Sequence, residues 1–212
     1  MKGWKDILYT VVGISPAVGA LIAYHKLPQT VATHFSVNNE VNGTMGKGMF
    51  VLVLFLLGLV PFVMRVVRAV DPKRENYNKF NTAFEIQRLG VTIVLAVAGW
   101  AALVYNLGHS IDIRCMIMIA IGVLFMVMGN YLTQVKSNYT FVIRTPWTLA
   151  SEENWRKTHR LGGPFMMLGG LIAFVSAFVE GRTAVIIFVG SIVTTSLIPI
   201  VYSYLLFART KK

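Results

Sequence analysis

The sequence predicts an all-α polytopic membrane protein with six transmembrane helices and both termini in the cytoplasm. Two observations predict this class. Of the 212 residues, 55% are hydrophobic and only 14% are charged, whereas an ordinary soluble domain carries about 25% charged residues. The apolar residues also occur in long blocks without charges, which a soluble core does not need.

Six apolar blocks have lengths near the roughly 20 residues that a spanning helix needs. The blocks are residues 7–24, 48–64, 89–105, 115–132, 164–179 and 184–208. The second, third and fifth blocks are short and need flanking residues. The second helix can continue to Val70, because the side chains of Arg65 and Arg68 can snorkel towards the headgroups. Pro16 and Pro199 lie inside the first and last blocks and predict kinks.

The distribution of cations predicts the orientation. Sixteen of the twenty Lys and Arg residues lie at the N-terminus, after the second and fourth blocks, and in the C-terminal tail. Short loops rich in cations stay in the cytoplasm. Residues 27–47 are therefore predicted outside and residues 133–163 inside. The start, with Lys2 and Lys5, resembles a signal peptide, but its apolar block is long enough for a retained helix.

Composition and motifs also exclude several functions. The net charge of +11 is assigned to topology and anionic lipid headgroups, and direct nucleic-acid binding is not expected without a soluble basic domain. No ionisable residue lies at the centre of a block, which argues against a proton-coupled pump. Cys115 is the single cysteine and is interpreted as a small buried hydrophobe. No catalytic motif is present, so no enzyme, cofactor or metal is predicted.

The outer loop, residues 26–47, is predicted to hold a short hairpin. Its Asn-Gly pair favours a tight turn, and apolar residues alternate before it. We expect His34, Phe35 and Glu40 to provide outer-loop contacts. Two ionisable residues are too few for a zinc site, so a structural or peptide-contacting role for His34 is favoured over a ligand role.

The segment 129–163, which we name the junction, concentrates cations, tryptophans, a proline and glycines between the fourth and fifth blocks. A short interfacial helix is predicted from Thr148, with Ser151 as its cap. Gly162 or Gly163 is predicted to end that helix, and Pro164 to begin the fifth span.

Two interpretations of the junction stay open, a belt at the membrane surface and a binding site for a headgroup, peptide or protein. Arg144 is the favoured specific contact, because its planar fork can grip carboxylate or phosphate. Asn130 and Asn138 are candidates for orienting it. His159 follows Trp155 by one helical turn and is expected to pack against the indole. The candidate binding residues are Arg144, Pro146, Trp147, Trp155, Arg156, His159, Arg160, Asn130 and Asn138.

The junction also resembles a known family signature. The matching residues are Gly129-Asn130-Tyr131-Leu132, Asn138-Tyr139, Ile143-Arg144-Thr145-Pro146-Trp147-Thr148-Leu149, Trp155-Arg156-Lys157-Thr158-His159-Arg160 and Gly163. They resemble the SdpI family of bacterial integral membrane proteins. The outer loop resembles the uncharacterised module that usually precedes that domain, through Leu27-Pro28, His34-Phe35, Glu40, Gly43 and Lys47. Departures are Val142 and Asn38-Asn39, where glycine or small residues are usual, and Val31, where a second proline is common.

The resemblance implies a function and a division of the chain. It implies a two-helix module over 1–70, a cytoplasmic connector over 71–88 and a four-helix domain over 89–212. The implied function is immunity in the bacterial cell membrane against a secreted, membrane-active peptide toxin, together with sequestration of a cytoplasmic repressor. It implies functional positions among the junction candidates, namely Arg144, Pro146, Trp147, Trp155, Arg156, His159 and Arg160. The alternative is an interfacial lipid-binding protein or membrane enzyme acting on an anionic headgroup.

Overall fold

A computed structural model of the chain describes residues 3–210 as a bundle of helices with one small hairpin. The elements are α1 Gly3–Ile22, β1 Thr30–Phe35, β2 Val41–Gly46, α2 Lys47–Gly58, α3 Val60–Val70, a 3₁₀ helix Arg74–Lys79, α4 Asn81–Asn106, α5 Ile113–Leu132, α6 Pro146–Ala150, α7 Glu152–Ser176 and α8 Gly181–Thr210. Three of the cations that entered the orientation argument, Lys2, Lys211 and Lys212, lie outside the described residues.

Among residues 3–210, four helices are long and apolar enough to cross a membrane: α1, α4, α5 and α8. The bent pair α2 and α3 raises the number to five when it counts as one span. Helix α7 is long enough, but its first turns are strongly polar, and it does not join this group. A mainly helical membrane protein is therefore supported, whereas six crossings and the side of each terminus stay predictions.

The predicted second span is broken rather than straight. Helices α2 and α3 meet at an angle of 41°. Gly58, at the end of α2, packs on Gly13 of α1 so closely that a Cβ on Gly58 would lie 2.7 Å from the Gly13 carbonyl oxygen. Pro61 opens α3 and has no amide hydrogen to continue the helix. The Nε of Arg88 donates to the Pro61 carbonyl at 3.2 Å, which ties the first turn of α3 to α4. The predicted end at Val70 is confirmed.

The predicted outer-loop hairpin is confirmed. Strands β1 and β2 pair antiparallel, and the side chain of Asn106 at the end of α4 continues the pairing. Its Oδ1 accepts from the Ala32 amide at 2.7 Å, and its Nδ2 donates to the Ala32 carbonyl at 2.8 Å. Asn39, with φ of 63°, donates to the Ile111 carbonyl at 2.8 Å. The hairpin is therefore docked on the loop between α4 and α5.

The connections gather at two ends of the bundle. The hairpin meets the α4–α5 loop at one end, where Arg114 also donates to the Val179 carbonyl before α8. The junction lies at the other end, with the 3₁₀ helix and the start of α4, since Asn76 donates to the Ser137 carbonyl at 2.8 Å. We call these the hairpin end and the junction end.

Helices α5 and α7 cross through glycines at two levels. A Cβ on Gly122 would lie 2.8 Å from the Gly170 carbonyl oxygen, and a Cβ on Gly129 would lie 2.6 Å from the Gly163 carbonyl oxygen. Close backbone approach of this kind gives membrane helices their packing contacts, because the hydrophobic effect does not operate between them in lipid.

The predicted division between an interfacial helix and the fifth span is wrong. Helix α7 runs without interruption from Glu152 to Ser176, with Pro164 inside it. The glycines do not end the helix because they serve the contact with α5, where Gly163 faces Gly129. The predicted cap is confirmed, since the Ser151 hydroxyl accepts from the Asn154 amide.

Candidate functional site

The junction is held by a buried asparagine. Asn138 has no exposed surface, and its Oδ1 accepts from the amides of Phe141 at 2.7 Å and Thr140 at 3.1 Å. Its Nδ2 donates to the Lys136 carbonyl at 2.9 Å. Asn138 therefore shapes the turn and does not orient Arg144, so that part of the prediction is wrong. Local backbone groups satisfy the amide because they are the nearest partners.

Val142 has a backbone conformation that suits glycine. Its φ is 67°, in the left-handed region that a β-branched residue rarely adopts. The positive φ explains why glycine is usual at this position and why the valine found here is strained. The strained residue lies two positions before Arg144, and such strain is often found at functional sites.

A buried polar cluster ties the junction to the first half of the chain. The Asp71 carboxylate accepts from the Tyr77 hydroxyl and from the Tyr139 amide, each at 2.9 Å. Lys73 reaches across to the Ser137 hydroxyl at 2.7 Å. Burial raises the pKa of Tyr77 to about 12, so the phenol stays a donor at neutral pH. Asp71 and Tyr77 carry no signal in the sequence, because only the fold brings them to the junction.

Trp155 and His159 pack as predicted. Their rings stack with centroids 4.2 Å apart, and the Trp155 Nε1 donates to the Val135 carbonyl at 2.9 Å. His159 is 1% exposed, and its Nδ1 lies 2.8 Å from the Trp155 carbonyl oxygen. That nitrogen must donate, since a carbonyl only accepts. The second nitrogen, Nε2, is left buried without a partner among the described residues.

Burial lowers the pKa of His159 to about 4, although its bond to the Trp155 carbonyl opposes the shift. The residue precedes the predicted span 164–179. An unfolded histidine has a pKa near 6.5, so it takes up a proton before the folded one does. We expect the free energy of unfolding to be constant above pH 6.5 and to fall by about 3 kcal/mol between pH 6.5 and 4. Unfolding in mixed micelles across this range measures the effect.

The control for this pH dependence is His159→Gln, compared with His109→Gln in the loop at the hairpin end. The first substitution should flatten the decline below pH 6.5, and the second should leave it unchanged. An equally steep decline in the His159→Gln protein would contradict the assignment.

Trp147 anchors the short helix α6 on α8. Its Nε1 donates to the Ser203 hydroxyl, and its ring contacts Tyr204 at 5.4 Å between centroids. The Asn154 Nδ2 donates to the Ser203 carbonyl at 2.9 Å. Trp147 is one of the predicted binding residues. Ser203 and Asn154 were not among them, because Ser203 lies inside an apolar block and carries no signal of its own.

Arg144 lies at the edge of an apolar cavity. Its Nη1 donates to the Tyr139 carbonyl at 2.7 Å, and the residue is exposed. The cavity, of about 370 Å³, lies between α5, α7 and α8, with lining that includes Leu132, Ile143 and Pro199. Asn130 is exposed on α5 and makes no hydrogen bond to Arg144. The arrangement places one guanidinium, with donors to spare, beside a space that accepts apolar groups.

The three remaining junction candidates lie at the protein surface. Pro146, Arg156 and Arg160 are exposed. Arg156 lines a second cavity of about 410 Å³, into which Lys136 and His159 also face. No group of three His, Cys, Asp or Glu side chains in residues 3–210 is arranged to hold a metal ion.

The outer-loop candidates lie at the hairpin end, apart from the junction. His34 is exposed, and its Nδ1 contacts the Asn42 Oδ1. Phe35 packs edge-on against Tyr105, with centroids 4.8 Å apart. Glu40 is exposed. The two predicted sets of residues therefore form two surfaces rather than one site.

The fold and the junction place this protein among the helical membrane proteins that carry a polar surface at one end of the bundle. Residues 134–203 match the SdpI/YfhL protein family, and residues 11–59 match a domain of unknown function, DUF1648. The predicted resemblance is confirmed: a match to the SdpI/YfhL family model follows a match to that module along the chain.

The chain is also similar to a characterised protein over nearly its whole length. It is 20% identical over 200 residues to the Immunity protein SdpI of Bacillus subtilis (strain 168), covering 94% of each chain. No solved structure matches the chain.

Proposed function

We propose that this protein resides in the bacterial cell membrane and protects its cell from a secreted, membrane-active peptide. The observation that carries the proposal is the match to the Immunity protein SdpI across 94% of both chains. A match of that extent includes the hairpin as well as the junction. The absence of a recognisable catalytic motif in the sequence agrees with a binding role.

The two ends of the bundle have separate roles in this proposal. The hairpin end faces outwards, where His34, Phe35 and Glu40 meet the peptide. The junction end faces the cytoplasm, as the distribution of cations predicts. A shift of the helices on peptide binding alters the junction surface, including the exposed Arg156 and Arg160, and a cytoplasmic repressor docks there.

The route between the ends has a structural basis. Helix α5 begins beside the hairpin, where the Asn39 Oδ1 accepts from the Ile113 amide at 3.1 Å. The same helix ends at the junction and packs on α7 through Gly129 and Gly163. A rigid helix in contact with both surfaces is the kind of element that can couple two sites.

Arg144→Ala tests whether protection also depends on the junction. The exposed guanidinium offers charge-assisted bonds worth about 1.5–3 kcal/mol each. We expect the variant to lower the peptide concentration that cells tolerate by about tenfold or more. The readout is growth of a sensitive host that expresses the variant, challenged with peptides secreted by the native host and its relatives.

Arg182→Ala is the matched control, since this exposed arginine lies at the start of α8 at the hairpin end. It should retain full protection at equal expression. If cells with the unaltered protein and cells without it are equally sensitive to every peptide tested, the proposed function is wrong.

The apolar cavity beside Arg144 also favours a second candidate, an interfacial protein that binds or acts on a lipid with an anionic headgroup. An acyl chain would occupy the space near Pro199 while the guanidinium holds the headgroup. A lipid that copurifies at one molecule per chain, or loss of a lipid substrate over time, would favour this candidate over immunity.

A further inference from the structure

A third cavity, which is also polar, lies at the junction end, outside residues 134–203 that match the SdpI/YfhL family. It has a volume of about 560 Å³ and is enclosed by the start of α1, the end of α3, the 3₁₀ helix and the start of α4. Five cationic side chains line it against three carboxylates, so its wall carries excess positive charge. The charged residues are Lys5, Arg65, Arg68, Arg74 and Arg88, with Asp6, Glu75 and Glu85.

The innermost charges already satisfy one another. The Arg88 side chain is 3% exposed and contacts Asp6 at 2.9 Å and Glu85 at 3.1 Å. Arg65 also contacts Asp6, and Arg68 lies 3.9 Å from Glu85. Two carboxylates therefore serve three arginines, and the group keeps a net positive charge. Arg68 and Arg88 form its inner layer, whereas the exposed Arg65 lies at its rim.

The outer layer adds cations without matching partners. Lys5 and Arg74 form no ion pair among the described residues, and Glu75 is the remaining carboxylate of the lining. Arg65 and Arg74 are exposed, so both guanidinium groups can reach a ligand. Arg65 can do so through its remaining donors while it keeps its contact with Asp6. The inner arginines are fixed, since the Arg68 Nη1 donates to the Asn81 Oδ1 at 2.8 Å.

We propose that this cavity binds a phosphate-bearing anion through Arg65 and Arg74 above the fixed Arg88 layer. Guanidinium groups recognise phosphate by paired hydrogen bonds. The cavity is formed by helix ends, and basic pockets between transmembrane helices at the cytoplasmic side bind anionic lipid headgroups. The phosphate can belong to such a headgroup or to a free anion, and the experiment separates the two sources.

The test uses the full chain in a nonionic detergent. Dihexanoylphosphatidylglycerol is titrated by calorimetry, with dihexanoylphosphatidylcholine as the zwitterionic comparison and inorganic phosphate as a competitor. We expect the phosphatidylglycerol to bind more tightly than the phosphatidylcholine. The double variant Arg65→Gln/Arg74→Gln should bind the phosphatidylglycerol about tenfold or more weakly than the unaltered protein does. If millimolar inorganic phosphate competes with the lipid, the ligand is a free anion. If it does not compete, the ligand is the lipid headgroup.

The control is Arg182→Gln, which removes one arginine charge at the hairpin end. This variant should bind the phosphatidylglycerol as the unaltered protein does. The thermal midpoint of the double variant in lipid-free detergent shows whether it remains folded. Equal binding of the two lipids, or undiminished binding by a folded double variant, would overturn the proposal. Protection against peptides is a separate readout, so this site can fail while the proposed function stands.

Discussion

Gly129→Ala is expected to lower the free energy of unfolding by about 3 kcal/mol, because the added methyl group overpacks a helix crossing. The added Cβ would lie 2.6 Å from the Gly163 carbonyl oxygen and 2.7 Å from the Met167 amide nitrogen. Both atoms belong to the backbone of α7, so no side chain can rotate away. The helices must separate, and the contacts on either side of the crossing weaken.

The same argument applies one level away, because a Cβ on Gly122 would lie 2.6 Å from the Phe174 amide nitrogen. The matched control is Gly190→Ala in α8, where an added Cβ meets nothing within 4 Å. That change should leave stability unaltered or raise it by up to about 1 kcal/mol, because alanine is the better helix former. Unfolding by denaturing detergent in mixed micelles measures all three variants. Equal stabilities for Gly129→Ala and Gly190→Ala would show that α5 and α7 do not cross at these glycines.

Removing the buried arginine of α4 should have an effect of similar size. Arg88→Ala is expected to cost about 3–5 kcal/mol, the range for breaking a buried ion pair from one side. The substitution leaves Asp6 with Arg65 alone and Glu85 with the more distant Arg68. It also removes the donor to the Pro61 carbonyl. The first turn of α3 then loses its hydrogen bond to α4 as well.

Arg88→Lys separates the charge from the geometry. It keeps the cation but cannot reach Asp6, Glu85 and the Pro61 carbonyl together, so its stability should lie between those of the alanine variant and the unaltered protein. Lys157→Ala is the control, because its ion pair with Glu153 at 2.7 Å is exposed, and such pairs contribute little. An Arg88→Ala protein that unfolds no more readily than Lys157→Ala would refute the role of Arg88.

Features set by local sequence were predictable. The Ser151 cap, the hairpin and the stacking of Trp155 on His159 all depend on residues within a few positions of each other. Local hydrogen bonding and helical periodicity specify them without help from the rest of the chain. The length and apolarity of four helices were evident for the same reason.

Features that need two distant segments were mispredicted or missed. Arg88 lies one residue before the predicted third span, yet α1 and α3 bury it among Asp6 and the Pro61 carbonyl. Asn138 was a candidate for orienting Arg144, but it holds its own turn next to Tyr77. In each case the partner was decided by which helices pack together.

The sequence by itself determined the apolar segments, the signature and the short-range contacts, because hydropathy and capping are written in neighbouring residues. The tertiary structure alone decided that α7 continues through Gly163 and that the predicted second span bends between α2 and α3. It also decided that charges from three α-helices and the 3₁₀ helix share one cavity. The physical reason is that backbone approach and charge burial depend on distances between segments, which no local pattern records.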